Sequence, residues 1–200
     1  MRIIAGEFRG RRIEAPPGES TRPMLDRVRE ALFSTVQDWT ADARVLDLFA
    51  GSGSLGLEAL SRGAERARFV ERSAAALSVL RRNVQTLGVA DRVEIVRGNA
   101  LQPATWVDAG AESDARFDIV FFDPPYAMLE DAAERQELLD AVDRSMRDAV
   151  AGKGVLVFHA PARALERLRF DPHYRRDDRT YGSSALCYLF QQRNAVERKA

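Results

Sequence analysis

Six consecutive residues, Phe121-Phe122-Asp123-Pro124-Pro125-Tyr126, place an acid, two prolines and an aromatic ring at the end of an apolar run, Phe117–Phe122. Proline cannot donate to a sheet ladder, so Pro124 and Pro125 end the run and stiffen the turn that follows. The Asp123 carboxylate, the Pro124 carbonyl and the Tyr126 ring are then left at the carboxyl end of a strand. Two fixed acceptors beside a flat apolar face suit a planar heterocycle carrying an amino group, which can bond the acceptors while it stacks on Tyr126. Such bonds draw the nitrogen lone pair out of conjugation. The chemistry this predicts is N-methylation of an exocyclic amine, with Asp123, Pro124, Pro125 and Tyr126 as the catalytic set.

A matching electrophile site lies upstream. The short run Arg44–Leu48 carries one acid, Asp47, and leads through Phe49 and Ala50 into Gly51-Ser52-Gly53-Ser54-Leu55-Gly56 before a helical pattern starts. Strand, glycine loop and helix in that order make a nucleotide-type site, because glycines let backbone close on a ligand at a helix N-terminus. Gly51, Gly53 and Gly56 satisfy G-x-G-x-x-G, which alone would also fit a dinucleotide. Asp47 argues otherwise. A carboxylate aimed into that crevice would repel a pyrophosphate and attract the ammonium and sulfonium of S-adenosylmethionine. Glu71, at the end of the next apolar run, is placed to bind ribose hydroxyls. Asn99, after a third, is placed to bond adenine. The expected cofactor-binding set is Asp47, Phe49, Gly51, Ser52, Gly53, Glu71 and Asn99.

The elements that must position these residues alternate. Short strands near residues 44–49, 66–71, 92–97 and 117–122 are separated by helical patterns near 54–62, 73–87 and 100–107. A helix near 130–149, a strand at 155–158, a short helical piece at 162–168 and strands near 173–179 and 184–190 follow. Alternation of this kind implies an α/β fold with a mostly parallel sheet covered on both faces. Ligands then bind beyond the carboxyl ends of the strands, where the glycine loop, Glu71, Asn99 and Asp123 all fall. Ahead of this region, residues 2–5 and 10–13 read as a β-hairpin with arginines at its turn. A connector rich in proline and glycine leads to Pro23, which fits the first turn of a helix running to about Gln37. The organisation expected is a basic arm and connector over residues 1–22, a catalytic domain over 23–192 and a tail over 193–200.

Composition agrees with one enzyme domain. The 200 residues are 46% hydrophobic, enough for a substantial core, and no run approaches the ~20 apolar residues of a membrane span. The N-terminus shows no secretory pattern. The single Cys187 gives no disulfide framework and fits a reducing cytoplasm. His159, His173 and Cys187 offer no metal-ligand spacing and read as structural, so no metal is expected. Thirty basic residues balance thirty acidic ones, so any nucleic-acid signal must come from distribution. The first 29 residues hold Arg2, Arg9, Arg11, Arg12, Arg22, Arg27 and Arg29 against four acids. Arg9, Arg11, Arg12 and Arg22 are the expected RNA phosphate contacts.

With those residues in hand, the chain resembles the RsmD family of bacterial 16S rRNA guanine-N2 methyltransferases, class I S-adenosylmethionine-dependent enzymes. The resemblance rests on Arg2-Ile3-Ile4-Ala5-Gly6, Arg9-Gly10-Arg11, Arg22-Pro23, and Asp26-Arg27-Val28-Arg29-Glu30-Ala31-Leu32-Phe33. It continues through Asp47-Leu48-Phe49-Ala50-Gly51-Ser52-Gly53, Leu55 to Ala64, Val70-Glu71, Asn83, Asn99-Ala100, Asp123 to Tyr126, and Tyr181-Gly182. It implies a Rossmann-like seven-stranded sheet with an N-terminal hairpin arm. It also implies S-adenosylmethionine as donor and a guanine of 16S rRNA, in an assembled or late-assembly small ribosomal subunit, as substrate. Three points of departure stand out. Met24 follows Arg22-Pro23 where the family usually carries Thr, and His159 stands where the family commonly has an acid. The Tyr126 position is Phe or Tyr in the family, so the resemblance implies its ring and not its hydroxyl. The acceptor turn alone fits adenine N6 as well as guanine N2, so an adenine methyltransferase acting on RNA or DNA is the alternative. A non-catalytic RNA-binding factor of the same fold is a second, and an NAD-dependent oxidoreductase, disfavoured by Asp47, a third.

Overall fold

The computed structural model describes residues 1–16, 24–107 and 116–192. Its centre is a seven-stranded sheet of β1 (Arg44–Leu48), β2 (Arg66–Glu71), β3 (Val93–Arg97), β4 (Phe117–Phe122), β5 (Val150–Pro161), β6 (Tyr174–Tyr181) and β7 (Ser184–Gln191). The spatial order is β3-β2-β1-β4-β5-β7-β6. The first five strands are parallel, and β7 runs antiparallel to both β5 and β6. The order reverses between β1 and β4, and that reversal opens a crevice at the carboxyl edge of the sheet.

Strand side chains alternate between two cores. Val45, Phe69, Phe121, Val157 and Tyr188 face one side, against α1 (Asp26–Thr35), α3 (Ser54–Ser61) and α4 (Ala74–Leu87). Leu46, Leu48, Val70, Val120, Phe122, Leu156 and Phe158 face the other, against α6 (Ala132–Asp148), α7 (Ala162–Leu165) and Trp106. Near-continuous apolar strands are what burial on both faces requires. Short helices α2 (Gln37–Thr40) and α5 (Ala127–Glu130) complete the set. Among the described residues no helix is long and apolar enough to cross a membrane.

Three expectations are corrected. The pattern at 100–107 is not a helix but a single 3-10 turn, Pro103–Thr105. Pro103 has no N–H for the Asn99 carbonyl, which accepts the Thr105 hydroxyl instead, and the Trp106 indole takes the Ala100 carbonyl that a helix would use. The N-terminal hairpin has one isolated bridge, Arg2 to Arg12, rather than two four-residue strands. It keeps bonds across the hairpin such as Ile3 N–H to the Arg11 carbonyl and Gly10 N–H to the Ile3 carbonyl, and it is held to a helix as well. Buried Glu58 of α3 accepts the Ile4 and Ala5 N–H groups at 2.7 and 3.0 Å, and the Ser61 hydroxyl donates to the Ala5 carbonyl and accepts the Phe8 N–H. Gly6 (φ +81°) is required there, since a Cβ would meet the Ser61 carbonyl oxygen at 1.8 Å. Ile3, Phe8 and Ile13 enter the same core as α1 and α3. Finally, the first helix starts at Asp26. Pro23 and Arg22, like the tail 193–200, lie outside the described residues.

Candidate active site

The glycine loop is held from both sides by carboxylates. β1 ends at Leu48, and Phe49 turns the chain with φ 64°, a left-handed conformation costly for a non-glycine residue and typical of functional turns. Its ring packs edge-on to Phe122 at 5.3 Å. Gly53 (φ 80°) then starts α3. A Cβ on Gly53 would meet Leu80 at 2.3 Å, and one on Gly56 would meet the Phe69 ring at 2.4 Å. These glycines therefore set how closely α3 lies on the sheet. That closeness brings the Gly56 N–H within 2.9 Å of Asp47 Oδ2. Glu71 Oε2 accepts the Gly51 N–H at 2.9 Å, while its Oε1 accepts the Ser73 N–H at 2.7 Å. Ser52 is buried, and its carbonyl accepts from Asn83.

Asp47 does not line an open crevice, contrary to the expectation from sequence. It is 2% exposed, beneath the loop. Burial pushes its carboxyl well above the ordinary carboxylate range; the Gly56 N–H pulls it back, and the charges of Asp123 and Glu71 raise it further. Three acids far apart in sequence thus share one field at one edge of the sheet. Asn99, beyond β3, uses Oδ1 to accept the Leu101 N–H, closing the turn that follows. The β2–β3 register, Glu71 beside Arg97, puts Asn99 near the same edge.

The acceptor turn leaves β4 next to this loop. Register pairs Leu48 of β1 with Phe122 and Phe122 with Phe158 of β5, so Asp123 emerges between Phe49 and His159. Phe122 and Phe158 stack at 5.5 Å to form an aromatic floor. Asp123 remains 31% exposed at its side chain. Tyr126 is half-buried at the head of α5, where the Pro125 carbonyl accepts the Met128 N–H. Among the described residues no backbone N–H donates to the Pro124 carbonyl. The turn and the glycine loop are adjacent, as their chemistry demands.

Two residues of this region were not foreseen. His159 reads as structural in the sequence, yet its Nδ1 lies 2.8 Å from Asp123 Oδ1 and its Nε2 3.4 Å from the Tyr126 hydroxyl. Its position at the carboxyl end of β5, level with Asp123, was the available signal. Asn83, buried in α4, donates to the Ser52 carbonyl and to the Glu14 carbonyl, and accepts the Glu14 N–H. The family resemblance includes Asn83, but nothing in its helical context assigns it this tie to the loop.

The arginine arm divides. Arg11 donates to the Thr86 and Leu87 carbonyls at the end of α4 and lies over the Phe8 ring, so its charge is engaged in pinning the arm. Arg9 and Arg12 are exposed and make no side-chain hydrogen bond or ion pair among the described residues. Arg22 lies outside them.

Comparison with known proteins agrees with this geometry. The chain is 42% identical over 126 residues to the protein named Ribosomal RNA small subunit methyltransferase D of Escherichia coli K12, a match spanning 63% of this chain and 60% of that relative. A solved structure of the Escherichia coli protein yhhF, provisionally named a methyltransferase, superposes with a TM-score of 0.77 at 30% identity. That match covers 96% of this chain and 99% of the other. The precorrin-6y C5,15-methyltransferase of Geobacter metallireducens, 21% identical over 88% of this chain and 95% of its own, shares the fold at a TM-score of 0.61. The profile of the family described as Conserved hypothetical protein 95 matches residues 1–190. On fold and on sequence, this chain belongs to that family, the RsmD family, within the class I methyltransferase architecture.

Proposed function

We propose that the protein transfers a methyl group from S-adenosylmethionine to the exocyclic N2 amine of a guanine in the 16S rRNA of the small ribosomal subunit. The observation that carries this reading is the glycine loop, tied to Glu71 at the Gly51 N–H and to Asp47 at the Gly56 N–H, standing beside the strand end that carries Asp123 and its aromatic turn. A site framed by carboxylates suits a cationic ligand and repels a pyrophosphate, so it fits S-adenosylmethionine and not a dinucleotide. Phe49, Gly51, Ser52, Gly53, Glu71 and Asn99 are the residues that hold it, and buried Asp47 acts from beneath the loop, fixing it through the Gly56 N–H. When bound, S-adenosylmethionine supplies an activated methyl group on a positively charged sulfur.

The chain's own residues do the rest. A splayed guanine stacks on Tyr126, and its 2-amino group donates to the Asp123 carboxylate and the Pro124 carbonyl. Those bonds free the nitrogen lone pair from the ring. The rigid Pro124-Pro125 turn holds it in place, which converts a bimolecular encounter into a positioned one. Methylation makes the amine acidic, so its proton leaves without a strong base. Exposed Arg9 and Arg12 provide phosphate contacts. The name of the Escherichia coli relative supports rRNA of the small subunit as substrate; an assembled or late-assembly subunit in the cytoplasm is the setting proposed.

Paired variants test the division of labour. Asp123→Ala is expected to lower methyl transfer by about 100-fold or more, roughly 2.7 kcal/mol in the barrier, with donor binding by calorimetry unchanged. Asp47→Ala is expected to lose donor binding. If Asp123→Ala loses donor binding to the same degree as turnover, the acceptor assignment is wrong.

A further inference from the structure

We propose that His159 is a positioning residue of the methyl-acceptor site, orienting both the acceptor carboxylate and the aromatic platform through one imidazole ring. The inference rests on the reading of Asp123 and Tyr126 as the groups that hold the amine. His159 stands at the carboxyl end of β5, paired with Leu186 of β7, and its side chain is 3% exposed. A buried histidine kept for packing alone could satisfy its nitrogens on any nearby carbonyl. Here both nitrogens are aimed at the acceptor turn, at 2.8 Å to Asp123 Oδ1 and 3.4 Å to the Tyr126 hydroxyl. The His159 and Tyr126 rings lie 5.8 Å apart at 59°.

Chemistry fixes the direction of each bond. A carboxylate only accepts, so Nδ1 carries the hydrogen; in the neutral ring Nε2 then accepts from the tyrosine O–H. The bond to Oδ1 stops the carboxylate from rotating and leaves Oδ2 for the amine. The contact at the hydroxyl, longer and weaker, orients the Tyr126 ring. One buried group thereby sets the angle between the acceptor and the stacking face, the angle on which a lone pair's aim depends.

The test compares His159→Leu with His159→Asn in the full chain, using tritium-labelled S-adenosylmethionine and undermethylated small ribosomal subunits. An asparagine amide nitrogen falls close to where Nδ1 stands, so it keeps the bond to Asp123; leucine keeps only the volume. His159→Leu is expected to lower kcat by about 100-fold with the KM for the donor and the Tm unchanged, and His159→Asn to recover most of that loss. Nitrogen-15 histidine NMR of the wild type is expected to show hydrogen on Nδ1, with the signature lost in Asp123→Ala. Wild-type turnover in His159→Leu, or equal losses in both variants accompanied by a lower Tm, overturns the inference. A wild type that shows the Nδ1–H signature yet methylates neither subunits nor free rRNA leaves the bridge standing and defeats the proposed function instead.

Discussion

Asn83 donates to the Ser52 carbonyl at 2.9 Å and, with its other amide hydrogen, to the Glu14 carbonyl at 3.0 Å. One buried side chain in α4 therefore ties the glycine loop to the segment that leaves the N-terminal arm. Asn83→Ala strands a buried loop carbonyl, and is expected to cost about 2–3 kcal/mol in urea unfolding. Donor affinity should fall with it, because the freed loop no longer presents fixed N–H groups. Unaltered affinity in a folded variant would show that the loop holds its shape without this tie.

Asp47 makes stability and donor binding depend on pH in opposite senses. Its carboxyl is raised above the unfolded value by burial, so its contribution to stability is full below the unfolded carboxylate range and is lost as pH rises through the folded value. Asp47→Asn keeps an acceptor for the Gly56 N–H but has no charge to bury. The variant should be more stable than wild type on the alkaline side of that transition, and thermal melts across pH will show whether the gap opens. Binding of a cationic donor should conversely strengthen as pH rises and release a proton, which calorimetry in buffers of different ionisation enthalpy detects. Equal proton release by Asp47→Asn would assign that proton elsewhere.

Gly56 is expected to tolerate no side chain. Alanine there would press on the Phe69 ring and move the N–H that Asp47 accepts, costing about 1–3 kcal/mol and most of the donor affinity. Gly152 is the control: a Cβ there would have no neighbour within 4 Å, and its φ is not left-handed. As alanine it is expected to change stability by no more than about 0.5 kcal/mol. Similar losses at both positions would mean that the close approach of α3 to the sheet is not what the loop requires.

The arginines of the arm should separate by role. Arg9→Ala with Arg12→Ala is expected to weaken RNA binding and reduce its salt slope by roughly one for each phosphate no longer bound. Arg11→Ala should leave that slope intact and instead lower stability, by about 1 kcal/mol, because it frees the carbonyls ending α4. Filter binding at several salt concentrations, with melts of each variant, distinguishes the two. A reduced slope for Arg11→Ala would return it to the RNA surface.

Much of this architecture is legible in sequence, for physical reasons. Strands buried on both faces write themselves as apolar runs, and β1, β2, β4 and β7 fall within a residue or two of their expected positions. The glycine loop and the proline turn are equally plain, since each encodes a backbone shape that few residues permit. What stays hidden depends on neighbours brought from elsewhere. Residues 100–107 have helical spacing, but the Thr105 and Trp106 side chains win the carbonyls. Asp47 looks like a crevice ligand until α3 closes over it. His159 and Asn83 take their meaning from partners 36 and 31 residues away, and composition carries no trace of that.

The central claim is that the amine held by Asp123 and the Pro124 carbonyl belongs to a guanine of small-subunit rRNA. Its most direct test is to incubate the wild-type protein with labelled S-adenosylmethionine and undermethylated small subunits, digest the rRNA to nucleosides and identify the labelled one by mass spectrometry. N2-methylguanosine, absent from reactions with Asp123→Ala, is the predicted product. N6-methyladenosine, or no labelled nucleoside at all, would contradict the account.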